Sequence, residues 1–272
     1  MRAVPLLLAL ALAAAAVPCA AQALTPAERE AIARMRVDRG GRAEDVAGLV
    51  RTLDAAAARG LPTEPLASKV REGLAKGYDP GRIEPVILRM AADLDTAVAL
   101  LRERGEAAPA ARTAVVLLAD ALGGGVTPDE VRTLGRLALR PGETALSPDL
   151  LAGAARGLSF IKEARLPAGD GASVMAESVR QGYRQHEMLD LAREIKRRAT
   201  AYREDRALLR ALRESIARGE RSERLFRDVR PDPVERPAVE RQPASDRPER
   251  PQAPERPQRP DVPERPDSGR PR

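Results

Sequence analysis

Between residues 26 and 218 the apolar side chains recur at intervals of three and four, the spacing that gathers them on one face of an α-helix. Val46, Leu49, Val50, Leu53 and Ala57 line one face, and Leu66, Val70 and Leu74 line the next. Val86, Met90, Leu94, Ala97 and Leu101 mark a longer helix; Val131, Leu134 and Leu137 mark a short one. The punctuation agrees. Thr25-Pro26-Ala27-Glu28 and Thr127-Pro128-Asp129-Glu130 read as capping boxes, in which Thr caps the helix, Glu reaches back and Pro fills a position needing no N–H. Ser147-Pro148-Asp149 is a weaker start of the same kind. Gly40-Gly41, Gly77, Gly105 and Gly123-Gly124-Gly125 read as stops. Together these marks predict helices over about 26–39, 43–59, 64–76, 82–104, 109–122, 128–139, 148–164, 170–182 and 186–218, with no convincing strand.

A shift of 105 residues reveals an internal repeat: eleven of thirty-two positions match between 47–78 and 152–183, against roughly three expected by chance. The matches include Leu61-Pro62 with Leu166-Pro167, Glu72 with Glu177, and Gly77-Tyr78 with Gly182-Tyr183. Gly125-Val126-Thr127-Pro128 joins the helices of a third, more degenerate pair. Such a pair cannot bury its apolar face alone, so the expected fold is all-α: a short right-handed array of antiparallel helical hairpins. The stretch 186–218 differs, with Met188, Ile195, Tyr202, Leu209 and Ile216 seven residues apart and Ala192, Ala199 and Leu212 beside them. So narrow a stripe suits one partner helix, and it predicts a long C-terminal capping helix, with an intermolecular coiled coil as the alternative.

The two ends are of other kinds. Arg2, the apolar run from Leu6 to Val17 and the small residues of Ala21-Gln22-Ala23 predict a signal peptide over 1–23, with the mature chain starting near Leu24. The run is short of the roughly 20 residues that span a bilayer. Cys19 raises a lipoprotein alternative, which Pro18 immediately before it fits poorly. Cleavage would remove this one cysteine and leave a mature chain without thiol chemistry. After Val229 the composition changes: twelve of the last forty-two residues are proline, and Pro-Glu-Arg-Pro recurs at 248–251, 254–257 and 263–266. The segment 228–272 is expected to be a disordered Pro/Arg/Glu-rich tail able to span on the order of 130 Å. The helical domain is placed at 24–227.

Two Phe, three Tyr and no Trp leave little for a sheet core or a stacking platform. The net charge of +6 resides in residues 193–227, with twelve Lys or Arg against six acids, while the tail balances nine Arg with nine acids. That Arg-rich stretch, with Arg197 and Arg198 near its start, is a candidate surface for anionic lipid or glycan. Intrahelical pairs such as Glu214 with Arg218 would instead make it an ordinary solvated face. Nucleic acid is not expected, since no aromatics interleave with the cations. His186, the single histidine, has no nucleophile or orienting acid motif near it, and no residues cluster at metal-ligand spacing. Gly123-Gly124-Gly125 lacks the lysine and strand of a phosphate loop. Glu72 and Glu177 could face each other as acid and base on a polysaccharide. Lys69 and Lys76 around Glu72 give it ordinary ion-pair chemistry instead. Tyr78 and Tyr183 read as anchors between helices rather than proton donors.

The block Gly60-Leu61-Pro62-Thr63-Glu64-Pro65-Leu66-Ala67-Ser68-Lys69-Val70-Arg71-Glu72-Gly73-Leu74-Ala75-Lys76 resembles one found in uncharacterised secreted helical proteins of Gram-negative bacteria. The resemblance implies a helical, exported chain and carries over no activity or functional residue. The tail resembles, in composition only, the proline-rich spacers of periplasm-spanning proteins. The expectation is a non-enzymatic periplasmic or envelope-associated scaffold, with no cofactor and with another envelope protein as partner. The alternatives are a binder of anionic lipid or polysaccharide and a carboxylate-based hydrolase using Glu72 and Glu177.

Overall fold

The computed structural model describes residues 23–106, 111–199 and 205–226. Among them the chain forms ten α-helices and no strand. They are α1 (Pro26–Val37), α2 (Ala47–Ala58), α3 (Glu64–Ala75), α4 (Pro80–Arg102), α5 (Arg112–Gly123), α6 (Pro128–Ala138), α7 (Pro148–Glu163), α8 (Ala168–Arg180), α9 (Gln185–Arg198) and α10 (Asp205–Ala217). Short 3-10 turns at Ala43–Val46 and Ser222–Phe226 complete the order. The expected leader, Cys19, Tyr202 and the Pro-rich tail lie outside the described residues.

Local chemistry sets the boundaries. At α1 the Thr25 hydroxyl accepts from Glu28 N–H at 3.2 Å while the Glu28 carboxylate accepts from Thr25 N–H at 2.8 Å. Thr127 and Glu130 repeat the exchange at α6, at 3.2 and 2.7 Å. Two donors that the first helical turn leaves open are met in each case. The Ser147 hydroxyl accepts from Leu150 N–H, and the Asp79 carboxylate from Gly81 N–H, starting α7 and α4. At the far ends Gly40, Gly77, Gly105 and Gly125 adopt the positive φ of a helix stop. In the triple glycine only Gly125 does so. Gly124 is needed for another reason: a Cβ there would lie 2.9 Å from Ser159 Cβ on α7.

Packing follows two lines. In one, α4 lies against α2 and α5, α5 against α7, and α7 against α9. In the other, α1 lies against α3, α6 against α8, and α8 against α10. Between them runs a continuous core of Leu, Ile, Val and Ala. Small residues let the helices close in: a Cβ on Gly171 of α8 would meet Ile161 Cγ2 of α7 at 2.7 Å. Three of the matched positions are core in both copies. Leu53 and Leu158, Leu61 and Leu166, and Ala67 and Ala172 are all buried. Each buried leucine contributes roughly 1.5–3 kcal/mol, enough to explain the identity at these positions without any shared chemistry.

The single long helix expected over 186–218 is replaced by two, α9 and α10. The Tyr183 hydroxyl donates to the Glu220 carbonyl at 2.7 Å, and Arg221 pairs with Glu187 at 3.2 Å. An unbroken rod would hold residues 183 and 220 about 55 Å apart. The apolar stripe is spent inside the chain: Met188, Ile195, Leu209, Leu212 and Ile216 are fully buried. It is therefore not free to form an intermolecular coiled coil.

Candidate functional site

Glu72 and Glu177, equivalent in the repeat, stand in unlike surroundings. Glu72, on the exposed face of α3, bonds Lys69 at 2.8 Å and Lys76 on either side. These two ammonium groups hold its carboxyl down at about 2. Glu177 is buried on α8, where it accepts from Arg180 and, at 3.0 Å, from Gln181. These bonds lower its pKa despite the opposing effect of burial. The cleft that contains Glu72 is lined by Lys69, Lys76, Tyr78, Arg82 and Val86, with no part of α8. The two carboxylates are not brought together, and each is fixed as an ion-paired anion rather than poised as an acid.

The tyrosines diverge in the same way. Tyr78 is 49% exposed with the Arg82 guanidinium over its ring at 5.7 Å. Tyr183 is 3% exposed, bonded to Glu220 and covered by Arg221 at 4.8 Å. Burial pushes its phenol up to about 12, so it stays protonated and serves as the anchor between α9 and α10. Tyr78 anchors nothing of that kind.

The four cations that open the Arg-rich stretch all have acidic partners. Arg197 and Arg198 both pair with Glu194, Arg193 pairs with Asp190 at 2.9 Å, and Lys196 reaches Glu163 of α7 at 2.5 Å. Arg218 turns to Glu220 and the Ser215 hydroxyl, not to Glu214 as the spacing suggested. A cleft of about 590 Å³ opens here, with Tyr183, His186, Glu187, Asp190, Glu194 and Phe226 among its lining residues. His186 is exposed in it, at the start of α9. The acids of this cleft are all engaged by arginines, and Arg198 closes over the Phe226 ring at 4.4 Å. Its size therefore exceeds its chemical reach.

A second concavity was not legible in the sequence. Helix α4 forms its floor, between α3 and α5, where three clefts run into one another. The first, about 280 Å³, joins Pro65 of α3 to Val116 and Leu117 of α5. The second, about 310 Å³, shares Pro65 and Val116 and adds Val86, Met90, Asp93 and Asp120. The third, about 340 Å³, shares Lys69 and Val86 and ends at Tyr78. Val86 is 43% exposed within the groove, an apolar side chain that folding leaves uncovered.

Asp93 and Asp120 line the second of these clefts together with Lys69 and Arg89. A Cβ on Gly123 would lie 3.3 Å from Asp93 Oδ2, so this carboxylate rests on α5, one turn from Asp120. Burial pushes both carboxyls up, against the attraction of Arg89 for Asp93 and of Arg156 for Asp120. The signal for this pair lies in the approach of α4 to α5, which no local pattern encodes. Among the described residues, no group of three or more His, Cys, Asp or Glu is placed to hold a metal ion. No helix among them is long and apolar enough to cross a membrane. No protein-family model, no curated protein and no solved structure matches this chain.

Proposed function

We propose that this chain is an exported, non-enzymatic scaffold of the bacterial envelope, in which stacked helical hairpins present the groove across α3, α4 and α5 to another protein. The packing supports the stacking when α5 and α6, α7 and α8, and α9 and α10 are read as successive pairs, of which α7 and α8 pack directly on each other. First helix meets first helix and second meets second. In this reading α9 and α10 close the array, residues 1–23 are the leader, and the segment 228–272 is a spacer that keeps the domain on a long tether. Leu24 already belongs to the core, so the domain can begin where the leader ends. The observation that carries the proposal is the groove itself, whose floor and ends keep Val86 and Tyr78 43% and 49% exposed. Apolar side chains left uncovered within a groove are surface that a partner could bury.

Affinity capture from envelope fractions tests this with two charge insertions on α4. Val86→Asp places a carboxylate in the groove; Leu88→Asp places one at a residue that is 53% exposed and lines none of these clefts. A specific protein should be recovered with the unaltered chain and with Leu88→Asp, and be lost with Val86→Asp. Equal recovery with all three would overturn the groove as the interface.

A further inference from the structure

The bond expected to be cut when the leader is removed, between Ala23 and Leu24, lies at the edge of the core. Ala23 is exposed, whereas Leu24 is 5% exposed and packs within the core. Thr25 is held as well: its N–H and its hydroxyl both donate to the Glu28 carboxylate at 2.8 Å, and the hydroxyl accepts from Glu28 N–H at 3.2 Å. Helix α1 behind it is fixed in turn by Ile32, fully buried, and by the pair of Arg29 with Asp54 at 2.8 Å. A peptidase that reads the small residues Ala21 and Ala23 must close around the chain on both sides of the bond. In the folded chain Leu24 is turned into the core and Thr25 into the cap of α1, so neither can be enclosed. They come free only when Leu24 leaves the core and the cap breaks, and cleavage then follows the population of that opened form. Burial of one leucine makes such a form rarer by about tenfold or more.

Resting on the reading of residues 1–23 as a leader, we infer that folding shuts the Ala23–Leu24 bond, so that the leader is removed only from a chain whose Leu24 has not yet docked. The cut itself is a hydrolysis: one water adds across the amide and leaves a carboxylate on Ala23 and an amine on Leu24. A chain that folds first keeps its leader. The order belongs to this fold because the first core residue directly follows the bond. Were the core to begin at Ile32, the bond would lie on free chain and be open to cleavage at any stage.

The test is cleavage of the full chain, leader included, by purified signal peptidase in a mild detergent in which circular dichroism shows the parent folded. Two variants open the bond by different routes. A Gly-Ser-Gly-Ser insert between Ala23 and Leu24 moves the bond away from the core and leaves the domain intact. Ile32→Asp loosens α1 and leaves the residues around the bond unchanged. Both should be cut about tenfold or more faster than the parent, directly after Ala23 as read by amino-terminal sequencing. A parent cut as fast as the insert variant would overturn the inference while leaving residues 1–23 a leader. Failure to cut any of the three after Ala23, or a mature chain in cells that begins at an acylated Cys19, would remove the leader reading on which the inference rests.

Discussion

At Arg165 the backbone takes φ 62°, the one positive φ outside glycine among the described residues, where the repeat 105 residues earlier has Gly60 at 79°. Both positions end a helix in the same way, with Leu61 N–H bonded to the Ala56 carbonyl and Leu166 N–H to the Ile161 carbonyl. A left-handed conformation costs an L-residue about 1–2 kcal/mol, of which glycine's greater chain entropy offsets roughly half. Arg165→Gly should therefore stabilise the fold by about 0.5–1 kcal/mol in urea denaturation, and Gly60→Arg should destabilise it by a similar amount. Tyr183 offers a second test. Its phenol is raised from 10.0 to about 12, so its contribution is complete below pH 10 and is lost as pH rises through about 12. Tyr183→Phe should remove one late ionisation from the ultraviolet titration and cost about 1 kcal/mol for the lost bond to Glu220. The sequence showed Tyr78 and Tyr183 as equals; only the return of α10 makes one an anchor.

Among the helices, close approach rather than intrinsic propensity decides what each position tolerates. Gly171 sits inside α8, where alanine is intrinsically better by about 1 kcal/mol. Against this, the new Cβ would lie 2.7 Å from Ile161 Cγ2 and 3.2 Å from Leu158 Cδ1, a β-branched and a fully buried neighbour. Overpacking of that severity costs about 1–3 kcal/mol, so Gly171→Ala should lower the denaturation midpoint. The α9–α10 pair makes a complementary prediction. Leu209 is fully buried, and Leu209→Ala should cost about 2–5 kcal/mol. Because the stripe packs within the chain, the melting midpoint should not rise with protein concentration, as it would for a coiled coil between chains. The end of α9 was illegible because the sequence that follows it, Ala-Thr-Ala-Tyr-Arg-Glu over 199–204, contains no glycine or proline. The seven-residue stripe continues unbroken along the sequence from one helix to the other, and each helix buries its own part of it in the core.

Across the molecule the high charge content serves to join helices. Arg29 of α1 meets Asp54 of α2, and Arg59 at the end of α2 meets Asp95 of α4. Arg132 of α6 meets Glu103 at the end of α4, Lys162 of α7 meets Glu130 of α6, and Lys196 of α9 meets Glu163 of α7. Exposed pairs like these are each worth little, and their combined effect should show in acid. Hydrogen bonds from their partners lower the carboxyls of Glu103 and Glu163, and lower Glu130 despite its burial. A carboxyl lowered by folding stabilises the fold above its unfolded value of 4.5, and that stability drains away as pH falls, last for Glu72 at about 2. The thermal midpoint should accordingly drop between about pH 4.5 and 2. Asp93 and Asp120 run the opposite way, since folding raises them and their ionisation weakens the fold above 3.8. Asp93→Asn should raise the midpoint at neutral pH and leave it unchanged below that value; a lower midpoint at neutral pH would mean that Asp93 has a partner after all.

Helical class and most element boundaries are local properties, fixed by three-and-four spacing, capping boxes and glycine stops, and these were determined by the sequence alone. The groove, the separation of Glu72 from Glu177, the packing of α10 on α8 and the meeting of Tyr183 with Glu220 were decided by tertiary structure. Each depends on which helix lies beside which, and that is settled by how the whole set of apolar faces buries itself, a sum that no single stretch of the chain contains.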